Sequence, residues 1–171
     1  MMITQDTDIK YDFGFEKDGF NWNIINDDVM GGLSKSAIDL TENSVVFSGV
    51  TSLKNNGGFA SIRSPRKQKD LSKYEKIRIR FRSNTNREYA MRLGLYDVYY
   101  KPNYKYFFKP KSDEWQTIEF NLSEFKEYTL GRLTANSIEW AFLDKVLRIG
   151  IIVADKKEGP FQIEIDYIEF N

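Results

Sequence analysis

The stretch Glu75-Lys-Ile-Arg-Ile-Arg-Phe-Arg82 alternates apolar and basic side chains from Lys76 onward. Successive side chains of a β-strand point to opposite faces of a sheet, whereas a helix would place its apolar residues three or four positions apart. Ile77, Ile79 and Phe81 are therefore predicted to face a core, with the arginines between them facing water. The segment is interpreted as one strand of an antiparallel sheet.

The same two-residue period recurs in segments 88–96 and 161–170. Segment 147–154 is apolar at nearly every position, which is typical of a strand in the middle of a sheet with both faces covered. Further strands are predicted where short apolar runs are bounded by turn-forming residues, at 36–40, 44–50, 59–64, 104–109 and 115–121. The total is about nine or ten strands.

Helix signals are scarce. They amount to one turn at Leu122–Lys126, capped by Ser123, and a short crossover at Ala135–Lys145, capped by Asn136 or Ser137. The run Asn55-Asn-Gly-Gly58 predicts a hairpin, because Asn and Gly accept the positive φ angles of tight turns, and segment 101–104 is a second, weaker turn.

Many short strands without β-α-β alternation predict an all-β fold, a jelly-roll sandwich of two antiparallel sheets. No internal repeat, low-complexity tract or linker divides the sequence. We therefore expect a single domain over residues 1–171.

The composition excludes several classes of function. The 171 residues contain no Cys and no His, so disulfides, thiolate sites and nucleophiles activated by His are excluded. The 25 basic and 25 acidic residues cancel, which argues against a nucleic-acid partner. No apolar run approaches the roughly 20 residues that span a bilayer, and the polar start lacks the apolar stretch of a signal peptide. We expect a cytoplasmic protein without a membrane span, cofactor or metal.

The most unusual string is Trp22-Asn-Ile-Ile-Asn-Asp-Asp-Val-Met-Gly-Gly-Leu-Ser34, with two carboxylates and two glycines between apolar residues. The favoured interpretation is a shaped loop, in which the carboxylates cap backbone amides and the glycines supply unusual dihedral angles. The alternative is the rim of a binding site, with candidate contacts from Trp22, Asn26, Asp27, Asp28, Met30, Gly31, Gly32 and Ser34. The two carboxylates could also serve a calcium ion, although their spacing matches no EF-hand.

Arg63 is a further candidate contact. Alternation places it in a strand, on the face opposite Ala60 and Ile62. It is predicted either to pair with a carboxylate such as Asp27 or Asp28, which we favour, or to present its guanidinium to an anionic or hydroxyl-rich ligand.

Two other arginines, Arg80 and Arg92, are predicted on the water-facing sides of their strands. Cross-strand pairing with acidic residues such as Glu164 and Asp166 explains them without a ligand. The alternative is that they form a polar concave surface that binds one.

Aromatic side chains crowd segment 96–108, too many to point inward together. Self-packing of a hairpin and a surface for a partner both remain open, since tyrosine suits sugar stacking and protein contacts alike. The candidate contacts are Tyr96, Tyr99, Tyr100 and Tyr104.

Several separated motifs follow the order found in the complex I intermediate-associated protein 30 family. The N-terminal half of that family's domain is similar to the string ending Asp27-Asp-Val-Met-Gly-Gly32, to Phe47-Ser-Gly49 and to Asn56-Gly-Gly-Phe-Ala-Ser-Ile-Arg63. Its closing strands are similar to Leu130-Gly-Arg132 and to segment 155–168. The resemblance covers residues 22–171.

This resemblance implies a galactose-binding-domain-like jelly roll. It also implies a non-catalytic, chaperone-like assembly factor, since the mitochondrial members assist intermediates of respiratory NADH:ubiquinone oxidoreductase. The chain differs from those members by lacking a transit peptide and an N-terminal extension, and we expect a short, stand-alone bacterial member.

The leading hypothesis is a protein-binding assembly module without enzymatic activity, with contacts from loop 27–34, Arg63 and the tyrosines. A carbohydrate-binding module is the alternative, suggested by the sandwich fold and the excess of tyrosine. A glycoside hydrolase, pairing a carboxylate of that loop with Glu164 or Asp166, is a third interpretation.

Overall fold

The computed structural model describes residues 9–171, which form β-strands joined by loops and short 3₁₀ helices. The strands are β1 (Lys10–Asp12), β2 (Asn23–Ile24), β3 (Lys35–Leu40), β4 (Val45–Thr51), β5 (Ala60–Arg63), β6 (Lys76–Arg82), β7 (Tyr89–Gly94), β8 (Asn103–Phe108), β9 (Gln116–Asn121), β10 (Lys126–Thr129), β11 (Arg132–Ala135), β12 (Arg148–Val153) and β13 (Gly159–Phe170). The 3₁₀ helices are Asp18–Asn21, Asp27–Met30, Lys54–Asn56, Leu122–Glu124 and Trp140–Lys145. None of these helices is long and apolar enough to cross a membrane.

The strands form two antiparallel sheets. The six-stranded sheet has the order β3-β4-β13-β6-β9, and β1 pairs with β13 beyond the end of β4. The seven-stranded sheet has the order β11-β10-β8-β7-β12-β5-β2. This arrangement confirms the predicted all-β, jelly-roll-like sandwich. It also confirms that the apolar segment 147–154 lies mid-sheet, because β12 sits between β7 and β5.

The core lies between the two sheets and is built by the alternation seen in the sequence. Ile77, Ile79 and Phe81 of β6 are fully buried, as predicted. In β13 the period changes, because the pairing with β6 shifts register between Ile165 and Tyr167. A β-bulge of this kind turns the following residues over, so Tyr167 is only partly buried where simple alternation predicted a core position.

The predicted number of strands is too low. All nine predicted segments are strands, but the described part of the chain also contains β1, β2, β10 and β11. These four strands are two to four residues long. A segment that short contains at most two periods of alternation, too few to be recognised.

The hairpin predicted at Asn55–Gly58 is wrong. The strands on either side, β4 and β5, belong to different sheets, so this segment carries the chain from one sheet to the other. Its backbone nevertheless has the predicted positive φ angles, 58° at Asn55, 59° at Asn56 and 127° at Gly58. Residues with positive φ allow the chain to reverse sharply, but they do not determine which strands then pair.

The predicted helical turns are present with different boundaries. The turn at Leu122–Glu124 is capped by Asn121 rather than Ser123, and the Asn121 N–H donates to Glu124 Oε2 at 2.8 Å. The crossover helix begins only at Trp140, because the segment before it forms β11 and a bend.

Candidate functional site

The outer face of the seven-stranded sheet carries a line of basic side chains. Core residues of β12 such as Ile149 and Ile151 point inward, so Gly150 between them points outward. Gly150 pairs with Arg63 on one side and with Arg92 on the other, and Arg92 pairs in turn with Lys105. We call Arg63, Arg92 and Lys105 the cationic row. Three inter-strand steps of about 4.8 Å give it a length of about 14 Å.

The cationic row has no counter-charge within residues 9–171. Arg92 and Lys105 are each only 8% exposed, and Arg63 is partly buried. None of the three side chains forms an ion pair with a described carboxylate, and the one side-chain hydrogen bond that they make runs from Arg63 Nε to Ser61 Oγ at 3.1 Å. Burying a charge without a partner is costly, so this arrangement is not explained by stability.

The pKa values of these three groups are lowered, as expected for buried charges without a partner of opposite charge. Burial, together with the charges of Arg92 and Arg63, lowers the pKa of Lys105 from 10.5 to about 8. Burial, with the charges of Arg63 and Arg148, also lowers the pKa of Arg92 to about 9. Burial, with the charge of Arg148, lowers the pKa of Arg63 to about 10. All three groups therefore still carry positive charge at neutral pH, in positions where burial disfavours it.

Two glycines shape the floor of this face. A Cβ at Gly94 would lie 2.5 Å from an Arg92 guanidinium nitrogen, so the Arg92 side chain lies over the bare backbone of Gly94. A Cβ at Gly150 would lie 2.6 Å from the Ile62 carbonyl oxygen. It would also lie 3.2 Å from Arg63 Cγ, so the stem of the Arg63 side chain lies against the bare backbone of Gly150.

Aromatic rings border the Lys105 end of the cationic row. Phe107 of β8 and Tyr128 of β10 meet edge to face, with ring centroids 5.6 Å apart. Lys105 Nζ lies 5.1 Å from the centre of the Tyr128 ring. A cleft of about 490 Å³ opens beside them, lined by Lys105, Tyr106, Phe107, Ser123, Glu124, Lys126, Tyr128 and Asn136.

A further border of this face, at the ends of β7 and β8, is the loop that joins them, residues 95–102, which we call the tyrosine loop. Asp97 of this loop contacts Arg66 at 2.5 Å and Arg148, on the outer face of β12, at 3.8 Å. The predicted contacts Tyr96, Tyr99 and Tyr100 are 46%, 58% and 56% exposed.

Tyr104, predicted as a contact with those tyrosines, lies in the core instead. It is 3% exposed, and its hydroxyl donates to Glu127 Oε2 at 2.8 Å. The crowded aromatic segment is thus divided, because alternation in β8 sends Tyr104 and Phe108 inward while the preceding loop remains outside.

Loop 27–34 is organised by the buried side chain of Asp27. Its carboxylate accepts hydrogen bonds from the Ser34 N–H at 3.0 Å, the Gly58 N–H at 2.6 Å and the Phe59 N–H at 3.2 Å. These contacts fit the interpretation of a loop whose carboxylate caps backbone amides. A Cβ at Gly32 would lie 2.4 Å from Asp27 Cγ, which explains the glycine there. No group of three acidic side chains in the described residues forms a metal site.

The remaining predicted residues of this region divide by exposure. Trp22 and Asn26 are 6% and 7% exposed, and Trp22 packs edge-on against Phe13 at 5.0 Å. Like Asp27, Gly32 and Ser34, they are buried within the fold: Trp22 belongs to the core, and Asn26 Oδ1 accepts hydrogen bonds from Ser36 Oγ at 3.0 Å and from the Ser61 N–H at 3.3 Å. Three predicted contacts lie outside: Asp28, Met30 and Gly31.

The favoured pairing of Arg63 with Asp27 or Asp28 is not found. The Asp27 carboxylate is occupied by backbone N–H groups and the Ser34 side chain, and Asp28 forms no ion pair within residues 9–171. Arg63 instead belongs to the cationic row.

Arg80 lies on the other sheet and is already paired. Its guanidinium contacts Asp166 at 2.8 Å and lies 4.5 Å from the centre of the Trp115 ring. Neighbouring Arg82 contacts Glu164 at 2.7 Å. The prediction of cross-strand pairing with an acid is confirmed for Arg80. For Arg92 it is wrong, because the cross-strand neighbours of Arg92 are Gly150 and Lys105.

Sequence reasoning missed Lys105, Phe107 and Tyr128. Alternation in β8 does indicate that Lys105 faces away from Tyr104, so the side of the sheet on which Lys105 lies was predictable. That Lys105 lies beside Arg92 depends on the pairing of β7 with β8, which alternation does not specify.

Comparison with solved structures places this architecture among β-sandwich modules. A family 11 carbohydrate-binding module of the cellulosomal cellulase Lic26A-Cel5E of Clostridium thermocellum is 19% identical, with 95% of each chain covered and a TM-score of 0.67. The same family's module from that organism, in complex with a β-1,3-1,4-mixed-linked tetrasaccharide, is 20% identical, with 88% of each chain covered and a TM-score of 0.61. The glycoside hydrolase domain of Endo-D from Streptococcus pneumoniae R6 is 13% identical over 88% of this chain and 21% of that chain, with a TM-score of 0.51.

The sequence itself matches one family model, described as complex I intermediate-associated protein 30, over residues 11–165. The match covers nearly the whole chain and confirms the resemblance seen in the separated motifs. The chain belongs to the complex I intermediate-associated protein 30 family.

Proposed function

We propose that this chain is a non-catalytic binding module whose ligand surface is the outer face of the seven-stranded sheet. The observation that carries the proposal is the cationic row, in which Arg92 and Lys105 are each 8% exposed and have no carboxylate partner in the described residues. Charges held in this way cost stability in the free protein. A bound anionic group would offset that cost, so ligand binding accounts for charges that the free protein leaves unpaired.

The acidic residues support binding rather than hydrolysis. A general acid at neutral pH needs a raised pKa, and Asp and Glu pairs in glycosidases stand free on either side of the substrate. Burial raises the pKa of Glu164, but hydrogen bonds from Arg82 and Ser44 lower it below its usual range overall. Asp166 is held by Arg80, and Asp27 by backbone amides.

We further propose that the module acts through protein contacts, as an assembly partner of incomplete NADH:ubiquinone oxidoreductase. Membership of the family supports this role. The tyrosine loop offers a suitable contact, because Tyr99 and Tyr100 are more than half exposed and meet edge to face at 5.6 Å. Rigid exposed aromatic side chains are typical anchors of protein interfaces.

The test is retention of solubilised NADH:ubiquinone oxidoreductase intermediates on the immobilised chain. Tyr99→Ser combined with Tyr100→Ser is expected to reduce retention about tenfold or more, since aromatic anchors contribute disproportionately to binding. Phe20→Ser is the matched control, because Phe20 is an aromatic residue that is 75% exposed elsewhere on the fold. Equal retention by both variants, or none by the wild type, would refute the assembly role.

Carbohydrate binding is the second candidate. It is favoured by Phe107 and Tyr128, two aromatic side chains at the end of the cationic row, because tyrosine and phenylalanine faces stack against sugar rings. A glycan array separates the two candidates: protein contacts predict silence, and carbohydrate binding predicts a signal that Tyr128→Ala removes.

A further inference from the structure

We propose that the cationic row binds an acidic oligosaccharide, a chain of sugars that carry carboxylate groups. This inference rests on the proposed binding role of the outer face and names the chemistry of its ligand. The charge of the row, its hydrogen-bonding character and the aromatic rings beside it support this ligand.

The charge of the row calls for an anion. Arg92 is more than nine-tenths buried, and its guanidinium, which carries five N–H donors, forms no hydrogen bond or ion pair within residues 9–171. Arg63 uses one donor, toward Ser61 Oγ. Guanidinium groups bind carboxylates through paired, charge-assisted hydrogen bonds. The length of about 14 Å suits an oligomer with several anionic groups better than one small ion.

The hydrogen-bonding character distinguishes a sugar chain from an acidic peptide. Arginine and lysine side chains donate hydrogen bonds and accept none. A peptide crossing the row would bring a backbone N–H with nearly every residue, and each would need an acceptor that the row does not offer. The ring and bridging oxygens of sugars accept hydrogen bonds without donating any, and each hydroxyl group can rotate to accept from the row while it donates to water or to a neighbouring hydroxyl. The row therefore fits an acceptor-rich sugar chain.

The aromatic border supplies the apolar part of sugar recognition. Tyr128 stands beside Lys105, with the ammonium 5.1 Å from its ring centre, and Phe107 meets the Tyr128 ring at 5.6 Å. A sugar that stacks on these rings would place its carboxylate near Lys105. The same chain could then extend along the row toward Arg63, whose side-chain stem lies against Gly150.

The experiment is a calorimetric titration of the full chain with tetragalacturonic acid. The methyl ester of the same tetramer is the neutral control, a poly-L-glutamate peptide is the protein arm, and inorganic phosphate is the small-ion arm. We expect the acid tetramer to bind, and its methyl ester and phosphate to bind about tenfold or more weakly. Added salt should weaken binding of the acid tetramer.

Variants assign the binding to the row. Arg63→Gln and Arg92→Gln should each weaken binding of the acid tetramer about tenfold or more, because each removes a charged hydrogen-bond partner. Arg78→Gln is the matched control on the other sheet, where Arg78 pairs with Glu119, and should bind like the wild type. If Arg92→Gln does not fold, as judged by circular dichroism, Arg63→Gln and Lys105→Gln carry the test.

Three results would overturn the inference. They are binding of the methyl ester as tight as that of the acid, no binding of the acid tetramer, and binding unchanged in both row variants. Tighter binding of poly-L-glutamate than of the tetramer would reject the sugar and assign the face to an acidic protein segment. In that case the proposed binding module would stand, so the two failures are distinguishable.

Discussion

Replacing Lys105 with methionine should stabilise the protein at neutral pH. The lysine is 8% exposed, and its pKa falls from 10.5 to about 8 through burial and the charges of Arg92 and Arg63. At about 1.4 kcal/mol for each pH unit, that fall corresponds to about 3 kcal/mol of cost for keeping the group charged in the folded state. Methionine keeps an unbranched chain and also packs well against an aromatic ring, here that of Tyr128. The substitution also removes the contact of the lysine ammonium with that ring, which offsets part of the benefit. We therefore expect a net gain in stability of about 1–3 kcal/mol.

The gain should depend on pH with a defined sign. The pKa of Lys105 is lower in the folded protein, at about 8, than its unperturbed value of 10.5, so between these values the unfolded chain binds more protons. Stability of the wild type relative to the variant therefore rises as the pH rises through this window. The advantage of Lys105→Met is full below pH about 8 and falls toward zero above pH 10.5.

Urea unfolding followed by tryptophan fluorescence measures this difference. Wild type and Lys105→Met are compared near neutral pH and again near pH about 10, so that the titration of other groups cancels in the difference. Lys126→Met is the matched control, because Lys126 is an exposed lysine on the adjacent strand, and it should change stability by about 0.5 kcal/mol at most. A loss of stability in Lys105→Met at neutral pH, or a gain that does not shrink with rising pH, would refute the idea that this charge is uncompensated.

Two further predictions concern acidic side chains that hold the fold. Asp27→Ala should cost about 3 kcal/mol or more in thermal unfolding, because it leaves several buried donors unpaired, whereas exposed Asp28→Ala should cost about 0.5 kcal/mol or less. Burial raises the pKa of Asp155, but hydrogen bonds from Arg87, 2.7 Å away, and from backbone amides lower it overall. Its contribution is therefore present above the unperturbed value of 3.8 and is lost as the pH falls through the lower folded-state value. Acid titration should show this loss in the wild type and not in Asp155→Asn, and identical acid profiles would contradict it.

The sheet architecture was predictable because alternation is a local property. In β6 the polarity of each residue indicates which side of the sheet it faces, and a two-residue period over seven residues distinguishes a strand clearly from a helix. The same logic placed Arg92 on an outer face correctly, between buried Met91 and Leu93. What it could not predict was which outer face, since sheet membership depends on pairing between strands distant in sequence. Arg92 was therefore grouped with Arg80, although the two lie on different sheets.

The candidate site was less predictable for the same reason. Arg63, Arg92 and Lys105 come from β5, β7 and β8, and β12 must insert between β5 and β7 before the row exists. The prediction that Arg63 pairs with Asp27 failed because backbone amides compete for a buried carboxylate. Three backbone N–H groups, those of Gly58 and Phe59 at the chain reversal and that of Ser34 in the loop, satisfy Asp27 without ordering a long side chain.

A net charge of zero conceals a separation of charge between the two sheets. On the six-stranded sheet, Arg78, Arg80 and Arg82 each face an acid at 2.7–2.8 Å, and the surface neutralises itself. The outer face of the seven-stranded sheet presents the same kind of residue at equivalent strand positions, but the cross-strand neighbours of Arg92 are a glycine and a lysine. Because the residue type is the same in both places, the arginine alone does not mark a site. What marks the site is the absence of an acid opposite Arg92 among the described residues. A ligand that supplies a carboxylate there would give this sheet the ion pairing that the six-stranded sheet forms between its own side chains.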